Sequence, residues 1–192
     1  SIAIKVGKNV RPVRVLNMDA EINGRQVIAQ LNQLYSEQEK YVLLEVEVPA
    51  TKANKTLEIA QVEVSYSNME TKTTDRLTSS VSVNFDSSEE VVKRKTNTKV
   101  MAECVLQIAN DQNKLATALR DKGDVEGAKR VLNANGIYLE RNAHAYGSTQ
   151  LQSRSKSNFS AASALGGADW AKTRKGMRQD QHMDASQQKS GR

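Results

Sequence analysis

The 192 residues suffice for one domain or one and a half, and 38% apolar with 26% charged residues excludes a wholly disordered chain. No run approaches the ~20 consecutive apolar residues of a membrane-spanning helix. One cysteine excludes an internal disulfide framework or a multi-thiolate zinc site, and two histidines leave little for metal or acid–base chemistry. The net charge of +6 is unevenly placed: residues 1–146 hold 20 Lys and Arg against 19 Asp and Glu, and residues 147–192 hold 8 against 3. A nucleic-acid binder concentrates its cations on a folded face. An excess confined to a polar tail argues against nucleic acid as the main partner. The sequence opens on Ser1 with no basic–apolar leader, which reads as a mature chain or a cut fragment.

Residues 1–86 read as strands. Ile2–Val6 and Val10–Leu16 are β-branched runs. Val10–Ile22 and Arg25–Tyr35 flank Asn23-Gly24, a dipeptide suited to the positive φ of a tight hairpin, with Val27, Ala29 and Leu31 on one face. In Tyr41–Val48, Val42, Leu44, Val46 and Val48 alternate with Leu43, Glu45 and Glu47, and Pro49 ends the run. Leu57–Tyr66 repeats the period, with Ala60, Val62, Val64 and Tyr66 inward. Val81, Val83 and Phe85 form a last strand after a polar loop containing Lys72–Asp75. Short strands with one apolar face each predict an antiparallel β-sandwich.

Residues 88–146 change period. Ser88 precedes Glu89 and Glu90, acids suited to a first helical turn. Met101, Val105, Ile108, Leu115 and Leu119 recur at helical spacing, with Gln112 the one polar member. Gly123-Asp124 is a stop followed by a cap. Val125, Ala128, Val131, Leu132, Tyr138, Leu139 and Tyr146 make a second stripe, so an antiparallel helical hairpin is expected.

Residues 147–192 read as a polar linker and basic tail, with Ser148–Ser163 rich in serine and glutamine. A short helix over 168–183 is expected, with Asp169 placed as its cap. Trp170, the one tryptophan, anchors this segment to the body or to a neighbour. Lys172, Arg174, Lys175 and Arg178 join it as the candidate docking or partner contacts. The fold class is therefore α+β: sandwich, hairpin, tail.

Catalytic constellations are thin. Cys104 and His144 lie at similar heights on the two helices, but Cys104 flanks its apolar stripe while His144 sits roughly opposite Leu132 and Leu139, which suits a buried thiol and an exposed imidazole better than a dyad. Glu45 and Glu47 lie about 7 Å apart on one strand face, where alternation already explains them as the solvated side. The Gly123-Asp124 hairpin is similar to a tetratricopeptide-type pair, yet a solenoid needs three or more repeats. Lys93-Arg94-Lys95 reads as a solvated helix face. No catalytic, cofactor or metal residues are expected, and the chain is not expected to be an enzyme.

The run 31–49 (LNQLYSEQEKYVLLEVEVP) resembles the segment that follows the von Willebrand factor A-type domain in bacterial exported proteins. Ile59–Tyr66, Ala118–Asp124 and Asp169–Lys175 are similar to later parts of the same family. The resemblance implies the C-terminal portion of a longer exported protein of the periplasm or cell envelope, with the A-type domain absent here and counted among the partners. It implies a non-catalytic interaction module, with anionic-surface or nucleic-acid binding through the basic tail as the alternative. A divalent cation would belong to the absent domain. Its D-x-S-x-S core is matched neither by Asp184-Ala185-Ser186-Gln187-Gln188 nor by Asp86-Ser87-Ser88, so no ligands carry over.

Overall fold

The computed structural model describes residues 1–16, 18–35, 38–167 and 170–187. It is an α+β chain of antiparallel sheets and helices that divides into two compact units, Ser1–Thr96 and Asn97–Arg192.

In the first unit, β1 (Ile2–Val6) is the middle strand of a sheet ordered β3 (Ala20–Asn23), β4 (Gln26–Ala29), β1, β6 (Thr56–Asn68) and β7 (Thr73–Asn84). Ile2–Val6 thus pairs within this chain. Cross-strand rows carry the apolar face: Ile22–Val27–Ile4–Val62, and Ala20–Ala29–Ile2–Val64–Leu77. A separate antiparallel ribbon, β2 (Arg11–Val15) with β5 (Leu44–Glu47), lays Val15, Leu44 and Val46 on the buried cluster of Ile4, Val6, Val10, Val27, Ile59 and Ala60. Val6 and Val27 are almost wholly buried. Each such side chain contributes roughly 1.5–3 kcal/mol. A seven-residue helix, α1 (Glu89–Lys95), follows β7.

Several elements depart from the expected bounds. The Val10–Ile22 run splits into β2 and β3, and Arg25–Tyr35 is a strand only as far as Ala29. Gly24 alone takes the positive φ (58°), as the first residue of a two-residue loop closed by the Asn23–Gln26 pair. Tyr41–Val48 narrows to Leu44–Glu47. In β6 the pairing shifts between Glu58 and Ala60, a bulge at Ile59 that buries two successive residues and changes the phase of alternation. Tyr66 is 42% exposed rather than inward. β7 starts at Thr73, so part of the expected polar loop belongs to the strand.

Gly7 closes against that bulge. Its N–H donates to the Ile59 carbonyl at 2.8 Å, and a Cβ added at Gly7 would stand 2.6 Å from the Glu58 carbonyl oxygen. Because the obstacle is backbone, Gly7→Ala is expected to cost about 1–3 kcal/mol, read as a lower midpoint in urea or thermal unfolding.

The second unit is four helices: α2 (Thr98–Asp121), α3 (Val125–Tyr146), α4 (Thr149–Ala164) and α5 (Trp170–Ser186). The helix expected to run on from Ser88 is two helices. Thr96 ends α1, its hydroxyl donating to the Val92 carbonyl, and the Asn97 side chain caps α2 by accepting the Val100 N–H. Both residues favour caps over helix interiors because their side chains compete for backbone groups. Gly123 (φ 90°) ends α2 and Asp124 caps α3 through the Gly127 N–H. The same device recurs at Gly147 (φ 63°) and Ser148, which accepts the Leu151 N–H and starts α4. Ser148–Ser163 is therefore helix and not linker. Its buried positions Leu151, Ser155, Asn158 and Ala162, continued by Leu165 at the C-cap of α4, keep helical spacing with small and polar members. The tail helix runs over 170–186 in place of 168–183, and Asp169 lies outside the described residues.

Candidate interaction site

Apolar contact alone does not hold these four helices. α2 turns a buried polar row of Gln107, Asn110 and Thr117 toward α5. The Gln107 amide donates to the Asp184 carbonyl (3.0 Å), Asn110 donates to the Gln181 carbonyl (3.3 Å), and the Gln181 amide donates to the Thr117 hydroxyl (3.0 Å). Across the α2–α3–α4 seam, Asn135 Nδ2 donates to the Ala109 carbonyl (2.9 Å) and Asn158 Oδ1 (3.0 Å), and the Ser155 hydroxyl donates to the Gly136 carbonyl (2.9 Å). A Cβ on Gly136 would stand 2.8 Å from the Phe159 ring, so glycine sets how closely α3 and α4 approach.

Charge completes the seam. Arg154 on α4 reaches both Asp180 and Asp184 on α5 at 2.6 Å, with its side chain 17% and that of Asp184 8% exposed. Burial pushes the Asp184 carboxyl above the ordinary carboxylate range despite the attraction of Arg154. Burial also opposes the Arg154 charge, but Asp184 and Asp180 outweigh it and hold its pKa above the usual value.

The five residues expected to dock the tail separate into two groups. Trp170 is half-buried beside the cluster of Ala116, Ala128, Leu132 and Leu165, with the Arg120 guanidinium 5.2 Å from its ring centroid. Arg174 makes a two-pronged contact with Asp121 (Nε–Oδ1 2.9 Å, Nη2–Oδ2 2.8 Å), and Arg178 lies 3.8 Å from the same carboxylate. Hydrogen bonding from Arg174 holds the Asp121 carboxyl below its usual range. Lys172 and Lys175 are exposed and join none of these contacts.

Between α2 and α3 lies a groove of about 440 Å³ lined by Ile108, Gln112, Arg130, Val131, Ala134, Asn135 and Tyr138. Ile108, Gln112, Val131 and Tyr138 are positions of the two expected stripes, whereas Arg130, Ala134 and Asn135 lie outside them. The groove offers the Arg130 guanidinium and the Gln112 and Asn135 amides among apolar side chains, a mixture that can hold a ligand by shape and a few polar contacts.

The reactive candidates are scattered. Cys104 is half-buried, its thiol pushed up by burial and then by Glu103, while His144 is exposed on α3. Glu45 and Glu47 meet Arg14 (2.7 Å) and Arg11 across the ribbon. Asp86 accepts the Ser88 N–H, and Asp184 is held by Arg154, so neither stands in a cation-binding set. Among the described residues no three His, Cys, Asp or Glu gather as a metal site, and no helix is long and apolar enough to cross a membrane. Comparison with protein-family models, curated proteins and solved structures finds no match for this chain.

Proposed function

We propose that this chain is a non-catalytic interaction module that accompanies a von Willebrand factor A-type domain at the bacterial cell envelope. In this reading the five-stranded sheet and the β2–β5 ribbon are the two layers of a β-sandwich. α2 and α3 are the helical hairpin, carrying the surface that meets protein partners. The observation that carries the reading is the α2–α3 groove, where Arg130 and Gln112 border Ile108, Val131, Ala134 and Tyr138. The similarity of segments 31–49 and 59–66 to the family supplies the A-type association. The anionic-surface alternative draws less support, because Arg174 and Arg178 are directed to Asp121 and leave Lys172 and Lys175 of the four candidate contact cations on α5.

Filling the groove tests the reading. Ala134→Trp and Arg130→Glu are expected to reduce capture of an A-type domain or other envelope partner by roughly tenfold or more, with unchanged unfolding midpoints. Equal capture by wild type and both variants rejects the groove as the interface. Capture that is steeply salt-dependent and lost on Lys172→Glu with Lys175→Glu would instead favour the tail.

A further inference from the structure

β7 is a 12-residue edge strand, with no strand on its outer side among the described residues. Phe85, just beyond it, donates its N–H to the Lys55 carbonyl and accepts the Asn54 N–H, so its backbone groups face β6. The only register shift in the β6–β7 ladder lies on β6. Backbone direction alternates along a strand, and the outward-facing groups of β7 therefore belong to Arg76, Thr78, Ser80, Ser82 and Asn84. Exposed edges are normally blunted by lysine, proline or a bulge. Residues 77–84 read Leu-Thr-Ser-Ser-Val-Ser-Val-Asn, without a charge, glycine or proline. Leu77, Val81 and Val83 are 59%, 48% and 37% exposed on the core-facing side of the sheet, at the end of its apolar rows.

We infer that this edge pairs antiparallel with β7 of a second copy, about a two-fold axis through Val81, joining two five-stranded sheets into one. The occupant is argued from complementarity in a single register. With Val81 opposite Val81 of the copy, Thr78 meets Asn84 and Ser80 meets Ser82. Each of these residues presents outward N–H and C=O groups, giving about eight interchain hydrogen bonds. On the apolar face Leu77 falls opposite Phe85. On the other face Arg76, exposed and in no ion pair among the described residues, falls opposite Asp86, so two ion pairs close the ends. Shifting the strands by two residues sets Asp75 against Phe85 and breaks both matches. An isologous contact of this kind is self-limiting, because each edge is consumed by the other.

The test is sedimentation velocity on the whole chain over a concentration series. Wild type is expected to dimerise. Ser80→Pro removes an outward N–H that the β6 ladder does not use, and Val81→Lys sets two charges at the axis. Each is expected to weaken the dimer by roughly tenfold or more with circular dichroism unchanged. Arg76→Asp is expected to weaken it as well, and mixing that chain with an Asp86→Arg chain restores both ion pairs and the dimer. In a Cys104→Ser background, Val81→Cys is expected to cross-link copies on oxidation, while Ser80→Cys, which falls opposite Ser82 of the copy, does not. A monomer at every concentration, a dimer indifferent to Ser80→Pro and Val81→Lys, or an edge that captures only a strand of another protein overturns the inference.

Discussion

Arg154→Met is expected to destabilise the helical unit by about 3–5 kcal/mol, the usual cost of stranding one member of a buried ion pair. The loss is not mainly of attraction. Arg154 and Asp184 are 17% and 8% exposed, and Arg154 is the cation that offsets the burial of that carboxylate. Without it Asp184 must either stay ionised in a dry seam or take up a proton. Its pKa is already raised by burial in the wild type, so the sign of the pH dependence follows. A carboxyl whose folded pKa exceeds its unfolded value of about 3.9 contributes stability below that value and loses it as pH rises through the folded pKa. The Arg154→Met deficit should therefore shrink as the pH is lowered from neutrality toward the ordinary carboxylate range. Asp121 behaves oppositely. Arg174 lowers its pKa, so its contribution is present above the ordinary carboxylate pKa and is lost as pH falls through the lowered one. Combining Arg154→Met with Asp184→Leu should recover most of the stability, since an apolar pair of similar volume leaves no charge stranded. Urea unfolding across pH decides the matter. A pH-independent loss under about 1 kcal/mol would show the pair to be no more than a surface contact.

What could be read from the sequence follows from what periodicity reports. Strands whose inward positions are β-branched or aliphatic were visible: Ile4 and Val6, Val27 and Ala29, Leu44 and Val46. In β6 the even set Ala60, Val62 and Val64 shows in the alternation, but the bulge hides Leu57 and buried Ile59, which have the opposite parity, and Tyr66 keeps the parity of Val64 yet lies exposed toward the strand's end. The facing stripes of α2 and α3 stood out as Val105, Leu132 and Leu139. The opposite face of α2 was hidden because its buried members are Gln107, Asn110 and Thr117, residues that pattern reading gives to solvent. α4 was hidden for the same reason. Ser155 and Asn158 occupy positions where leucine would have announced a helix, and they are buried because each finds a hydrogen-bond partner on a neighbouring turn or helix. A usable signal was nevertheless present. Gly147-Ser148 repeats the glycine-then-cap logic of Gly123-Asp124, and reading both alike gives a third helix. At the candidate site, Trp170 stood out by its size, whereas the Arg174–Asp121 contact joins residues 53 apart that no local pattern connects.

Removing residues 148–192 therefore distinguishes two pictures of the helical unit. If the segment were a linker and tail, its loss would leave the α2–α3 pair intact. In the structure the loss takes away Leu151 and Leu165, each about 1% exposed, and the residues that cover Leu132 and Leu139. At roughly 1.5–3 kcal/mol for each fully buried aliphatic side chain, this approaches the 5–15 kcal/mol that a whole domain has in reserve. Gln107, Asn110 and Asn135 lose their partners on α4 and α5 at the same time. Two helices of 24 and 22 residues whose second faces are amides and small side chains have little to bury against each other alone. The truncated chain is expected to lose more helix by circular dichroism than the 16 and 17 residues of α4 and α5 account for, and to lose the cooperative unfolding step of this unit. Cutting after Leu165 instead keeps α4 and the Asn135–Asn158 seam, so it should lower the midpoint while leaving the step cooperative. A chain ending at Gly147 that unfolds with an unchanged midpoint would mean that the buried amides, the Arg154 pair and the α4 stripe contribute nothing to folding.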